Sequence, residues 1–200
     1  MQYLKEDVKK RILTAGLEEF KEKGYVGASI RNIASSAGVA LGSVYKYFEN
    51  KEDLFNSLVG IVYHEVLANL KKSSDSNGNP IDKATDMKDR LLDIFRINNT
   101  ELLILFDKSK GSKYESFKEE IIAIIHTIFQ EELLLQLTEK GIVVKDPFIF
   151  YVLSSTFLEG VNTILRSIED GERVGSLIDQ LIYILFEDIE QHLVEMSRIF

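Results

Sequence analysis

The sequence predicts an all-α fold, and three observations carry that prediction. Apolar residues recur at three- and four-residue intervals along nearly every segment, as Val8, Ile12, Leu13, Leu17 and Phe20 do near the start. No stretch keeps the period of two that a half-buried strand needs, and "GIVV" (141–144) is too short to count. Hydrophobic residues make up 45% of 200 positions, enough for a real core, and only two prolines interrupt the chain.

The first helix is expected from about Glu6 to Lys23, ending where Gly24 can adopt the left-handed conformation that closes a helix. Ser29 is an N-cap for a short second helix whose buried side is Ile30, Ile33 and Ala34, and Gly38 breaks it. A third short helix follows over about Leu41–Phe48. Asn50 caps a fourth, with Asp53 in its first turn and Leu54, Leu58, Ile61 and Val62 behind. The polar run "KKSSDSNGNP" (71–80) interrupts the helices. Beyond it helices are expected at roughly 83–97, 99–109, 113–139, 147–168 and 175–197. Asp146-Pro147 is a cap followed by a proline at the first helical position, and "EDGERVG" (169–175) reads as the last turn.

Composition narrows the class. The absence of cysteine excludes a disulfide framework and thiolate metal sites, and it fits a reducing cytosol. Residues 1–23 carry charge throughout, unlike a signal peptide. The apolar runs "LIYILF" (181–186) and "IIAII" (121–125) fall short of the ~18 residues of a membrane span. A soluble, cytoplasmic protein with no membrane partner is therefore expected. His64, His126 and His192 lie on separate helices without a neighbouring ligand or base, so neither an enzyme nor a metal protein is expected, and no cofactor.

Charge is unevenly spread. The formal net charge is −8, yet residues 1–51 hold nine Lys/Arg against six Asp/Glu. Such asymmetry suggests a polyanion-binding end on an acidic body. The second and third helices, joined by a glycine turn, form a helix-turn-helix pattern. At 100° per residue, Leu41, Val44, Tyr45 and Phe48 share one side of the third helix, facing Ile12, Phe20, Ile30 and Ile33. Gly42, Ser43, Lys46 and Tyr47 share the open side. Gly42 lets the backbone approach a partner, Ser43 suits a base edge, and Lys46 and Tyr47 suit phosphate or base. Ser29, with the N–H groups opening the second helix, and the nearby Lys51 suit further phosphates. These residues together point to duplex DNA.

"ASIRNIASSAGVALGSVYKYFENKEDLF" (28–55), preceded by "ILTAGLEEFKEKGY" (12–25), resembles the DNA-binding domain of the TetR family of bacterial transcriptional regulators. The resemblance implies a helix-turn-helix DNA-binding domain over residues 1–50 and a helical ligand-binding and dimerisation domain over 51–200, about nine helices in all. It implies a homodimer whose two recognition helices enter successive major grooves of a palindromic operator, through Ser29, Gly42, Ser43, Tyr45, Lys46, Tyr47 and Lys51. Tyr45 enters this set from the family pattern, since the wheel turns its ring to the core. Two positions depart from that pattern. Ala40 stands where a Ser or Thr cap is usual, which costs ~1 kcal/mol and leaves the third helix less rigid. Leu41 stands where a polar or basic residue is usual; it either covers the edge of the core or touches a thymine methyl.

The C-terminal helices at 147–168 and 175–197 are apolar on more than one stripe and so need two partners. The second partner is expected to be the same pair of helices in another subunit, an isologous homodimer interface. The resemblance also implies a small-molecule inducer among the fourth to eighth helices. Wall candidates are Tyr63, Leu91, Phe95, Leu102, Phe106, Ile122, Ile125, Phe129, Tyr151 and Phe157, a composition suited to an apolar or aromatic ligand. The function expected is a ligand-responsive homodimeric repressor. The alternative is a DNA-bound architectural or adaptor protein acting through a protein partner without an inducer.

Overall fold

The computed structural model describes the backbone of residues 2–75, 80–128, 130–131, 134–186 and 188–199. The described residues are helical in order α1 (Gln2–Gly27), α2 (Ile30–Ser36), α3 (Leu41–Val44), α4 (Lys51–Asp75), α5 (Pro80–Ile97), α6 (Asn99–Asp107), α7 (Phe117–Ile128), α8 (Leu134–Glu139), α9 (Phe148–Ser167), α10 (Gly171–Phe186) and α11 (Ile189–Ile199), with no strand among them. The expected segment 113–139 is thus two helices. The expected segment 175–197 is also two, divided near Asp188, whose φ is +55°.

The chain packs as two compact units. The first runs to Val66 and takes in Asn98–Phe117; the second holds Leu67–Ile97 and everything from Lys118 onward. This division does not fall at residue 50. Most of α4 and all of α6 pack with the N-terminal helices.

In the first unit, Ile12 and Phe20 of α1, Ile33 of α2, Val44 of α3, Leu54 and Phe55 of α4 and Leu102 of α6 are buried. An aromatic chain links these elements. Phe55 meets Phe20 edge-on with ring centroids 4.8 Å apart and lies 4.9 Å from Tyr25. It continues through Tyr114 to Tyr63, Phe117 and Phe106. Such pairs add ~0.5–1.5 kcal/mol each beyond the area they bury. The helix from residue 2 bends at Gly24, whose φ of +69° an L side chain resists. There Tyr25 N donates to Lys108 O at 2.7 Å, which ties α1 to the end of α6.

In the second unit α10 packs on α5 and α9. "EDGERVG" is not a seven-residue turn. The turn ends at Asp170, whose carboxylate caps α10 by accepting from Arg173 N at 2.7 Å, and residues 171–175 are helix. Their glycines serve packing. A Cβ on Gly171 would sit 2.0 Å from Arg96 O, and one on Gly175 2.5 Å from Arg96 Nε. Asp146 caps α9 through Phe148 N at 3.0 Å, as its place before a proline predicts. A smaller core joins Leu137, Phe150 and Leu193. Asn162, fully buried, lies beside Lys118, Glu159 and Arg166; with its amide turned to suit them, Oδ1 accepts from Lys118 Nζ and Arg166 Nη2, both at 3.1 Å.

Candidate nucleic-acid interface

Helix α2 is held at both ends by side chains of α1. At its start, Ser29 Oγ accepts from Arg31 N at 3.3 Å. Glu19 Oε1 accepts from Ser29 N at 3.1 Å and from Asn32 Nδ2 at 3.0 Å. At its end, Arg11 Nη1 donates to Ala37 O at 3.0 Å, beside Gly38 with its φ of +64°. The start of α2, expected to be open to phosphate, therefore already holds a carboxylate. Sequence reasoning missed Glu19 and Arg11, since i-to-i+10 and i-to-i+26 partners leave no local spacing signal. It also missed Arg31, an exposed cation in the first turn of α2, because the pattern of that helix is set by its apolar positions.

Helix α3 is shorter than the eight residues expected. Its α-helical part stops at Val44, and Ala40 offers no side-chain cap. The chain then tightens. Lys46 N donates to Ser43 O and Tyr47 N to Val44 O, three residues back rather than four. That closer winding turns the side chains away from the 100° wheel. Val44 and Phe48 stay buried, as expected, but Tyr45 swings out to 52% exposure and Tyr47 turns half inward. The wheel's placement of Tyr45 on the core side is thus corrected, and its hydroxyl is available to a partner. Leu41, one of whose two expected roles is to cover the core, is 38% exposed. Gly42 has nothing within 4 Å of where a Cβ would stand. Lys46 is exposed and Ser43 half-buried.

Helix α4 begins on a reciprocal cap. Asp53 N donates to Asn50 Oδ1 at 2.9 Å, and Glu49 N donates to Asp53 Oδ2 at 3.0 Å. That box fixes Lys51 at the first helical position and aims its side chain back at α1. Lys51 Nζ donates to Tyr25 O at 2.7 Å, with Ala28 O at 3.3 Å and Val26 O at 3.4 Å. It also lies 4.7 Å from the centre of the Tyr25 ring. An ammonium has three donors, and three carbonyls face this one. Lys51 clasps the last turn of α1 and the link that follows it to α2.

The residues expected around a ligand are spread over both units. Tyr63, Leu102 and Phe106 belong to the first, where the latter two are buried. Leu91, Phe95, Ile122, Ile125, Tyr151 and Phe157 belong to the second, and Phe129 lies outside the described residues. A groove of about 250 Å³ in the second unit is lined by Leu70, Lys71, Ala123, Ile124, Thr127, Ile128 and Glu131, none of them among the expected wall residues. Among the described residues, no three His, Asp or Glu side chains gather to hold a metal ion. Helix α9 is long and apolar enough to cross a membrane, with mean hydropathy 1.4 and a third of the window buried. Its Glu159 forms an ion pair with Lys118 at 2.9 Å.

Comparison with known proteins bears on the N-terminal segment. Residues 12–58 match the profile of bacterial regulatory proteins, tetR family. The chain is 46% identical over 48 residues to the fatty acid metabolism regulator protein of Bacillus subtilis (strain 168), covering 24% of this chain and 25% of that one. It is 31% identical over 83 residues to the HTH-type transcriptional repressor KstR of Mycolicibacterium smegmatis, covering 42% and 41%. The matches thus span between a quarter and about two fifths of these curated relatives' length. Solved structures share the fold over most of the chain. A TetR-family transcriptional regulator from Bordetella parapertussis 12822 superposes with a TM-score of 0.65 at 13% identity, covering 92% of this chain and 96% of that one. Native NalD, the secondary repressor of the MexAB-OprM multidrug efflux pump in Pseudomonas aeruginosa, gives 0.55 at 23% identity, covering 92% and 99%. Residues 12–58 thus carry the likeness to bacterial regulatory proteins, tetR family, and the solved structures extend the shared fold over most of the chain.

Proposed function

We propose that this protein is a homodimeric DNA-binding repressor that leaves a palindromic operator when a small apolar or aromatic molecule binds. The observation that carries this reading is the open edge from Leu41 to Tyr47. There a helix-turn-helix, fixed from beneath by Val44 and Phe48, presents a bare Gly42, an exposed Lys46 and an exposed Tyr45. In this reading Lys46, Tyr45 and Tyr47 hold phosphates, Ser43 and the Gly42 backbone approach bases, and Arg31 adds a cation from α2. Ser29 supports the site as the cap of α2, and Lys51 supports it from α4.

Two helices contribute to pairing of subunits. Phe148 of α9 is 61% exposed and Ile184 of α10 is 72% exposed, with Val152 and Tyr183 also in water. Apolar surface of this kind on neighbouring helices suits an isologous contact. The fixed spacing of two recognition helices then depends on the C-terminal helices, so ligand and operator weaken each other's binding by the same factor.

The test is fluorescence anisotropy with DNA selected from a random duplex pool, across salt concentrations, with the subunit number followed by sedimentation. A dimer that binds a selected palindrome is expected. Lys46→Ala should weaken binding and flatten the salt slope by roughly 0.9 for each phosphate left without its cation. A protein that ignores duplex DNA even at low ionic strength would end this reading.

A further inference from the structure

We infer that Leu41 reads the C5-methyl group of a thymine, so that this protein chooses its operator partly by an apolar contact. The inference rests on the DNA-binding reading above. The leading edge of α3 is Ala40, Leu41 and Gly42, and all three are exposed. Ala40 makes no cap bond through its side chain, and Gly42 has none to offer. Three successive positions at the end of the element that would meet base edges therefore present no side-chain donor or acceptor. Leu41 is 38% exposed, at the first position of a helix whose inward contacts are made by Val44.

An apolar side chain entering the major groove has a restricted choice of partner. Guanine, cytosine and adenine show donors and acceptors there, and thymine alone adds a methyl. A leucine set against N7, O6 or N4 would strip water from those atoms without replacing its hydrogen bonds, which is unfavourable. Against the thymine methyl it removes apolar surface from water on both sides. The same Leu41 thus rewards one base and penalises the others. Ser43, two residues on, and Lys46, five residues on, remain for polar readout.

The discriminating probe is deoxyuridine, which lacks only the methyl. In the selected operator, each thymine is replaced singly and symmetrically in both half-sites, and affinity is measured by anisotropy at fixed salt. One thymine per half-site should be sensitive, with a loss of about fourfold per half-site, the effect of one buried carbon group. In Leu41→Ala the affinity should already be lower, and deoxyuridine at that position should bring no further loss. The salt slope should stay that of the wild type, which shows that the variant is folded and engaged on phosphate. Leu41→Gln should move the preferred base at the same position from thymine to adenine, which offers N6 and N7 to an amide. If DNA is bound selectively but no thymine responds to loss of its methyl, the assignment of Leu41 is overturned and the regulator reading stands. If the response persists undiminished in Leu41→Ala, another residue reads the methyl and the assignment is overturned as well. If no DNA sequence is selected at all, both readings fall together.

Discussion

Replacing Lys51 with methionine should unsettle the fold while leaving the salt dependence of DNA binding intact. Methionine keeps most of the length of the stem and removes only the charged donor. The short bond to Tyr25 O at 2.7 Å is charge-assisted, a class worth ~1.5–3 kcal/mol. The approaches to Ala28 O and Val26 O, at 3.3 and 3.4 Å, are longer and add less. The ammonium over the Tyr25 ring adds ~0.5–1 kcal/mol. Against these stands the desolvation of a half-buried ammonium, recovered in the variant, and the access of water to the carbonyl of exposed Val26. The net destabilisation comes to ~2 kcal/mol. For a chain of 200 residues that lowers Tm by ~4–8 °C. Calorimetry reads the stability, and anisotropy across salt reads the slope. A Tm within a degree of wild type, together with a flattened slope like that of Lys46→Ala, would refute the clasp and return Lys51 to the phosphate role its sequence position suggests.

Gly42→Ala should behave in the opposite way: with open space for the new Cβ and ordinary backbone angles, it raises stability by up to ~1 kcal/mol, while operator affinity drops; unchanged affinity would show that no close backbone approach occurs there. Gly171→Ala should destabilise by at least ~2–3 kcal/mol in urea unfolding, because its Cβ would lie 2.0 Å from a backbone oxygen that cannot rotate away. Glu101→Gln should stabilise near neutral pH. Burial raises the pKa of Glu101, so the folded state holds its proton more tightly than the unfolded chain, and the ionised group costs stability at pH 7. That cost is complete above the raised pKa and vanishes as pH falls to the ordinary carboxylate range. Paired thermal melts from pH 4 to 8 should therefore show the advantage of Gln growing with pH, and a constant difference would point to another cause.

The parts of this fold that could be read in advance are those written in neighbouring residues. Ser29, Asn50 with Asp53, and Asp146 all cap the helices their spacing announces, and Gly24 and Gly38 both take positive φ. What escaped depends on partners distant in the chain. Lys51 looks like a surface cation in the sequence because its three acceptors lie 23 to 26 residues earlier. Gly171 and Gly175 look like turn residues because the Arg96 that requires them bare lies on another helix. Tyr45 was misplaced for a different reason: a wheel drawn at constant pitch cannot register a helix that tightens after one turn. At the interface, the exposed face could be identified from the residues, whereas the supports beneath it, Glu19, Arg11 and Lys51, could not.

The membership of residues 98–117 in the first unit bears on how such proteins can be cut and recombined. A fragment ending after Val66 would leave Tyr25 N without the Lys108 carbonyl, Asn56 without the Tyr114 hydroxyl, and Phe55 without part of its aromatic surround. A chimera that grafts a foreign domain onto this helix-turn-helix unit would have to carry an internal stretch of the donor chain along with the N-terminus, spliced at three junctions. A single crossover placed after α3 would produce a protein with a damaged N-terminal unit, however well the grafted domain folded.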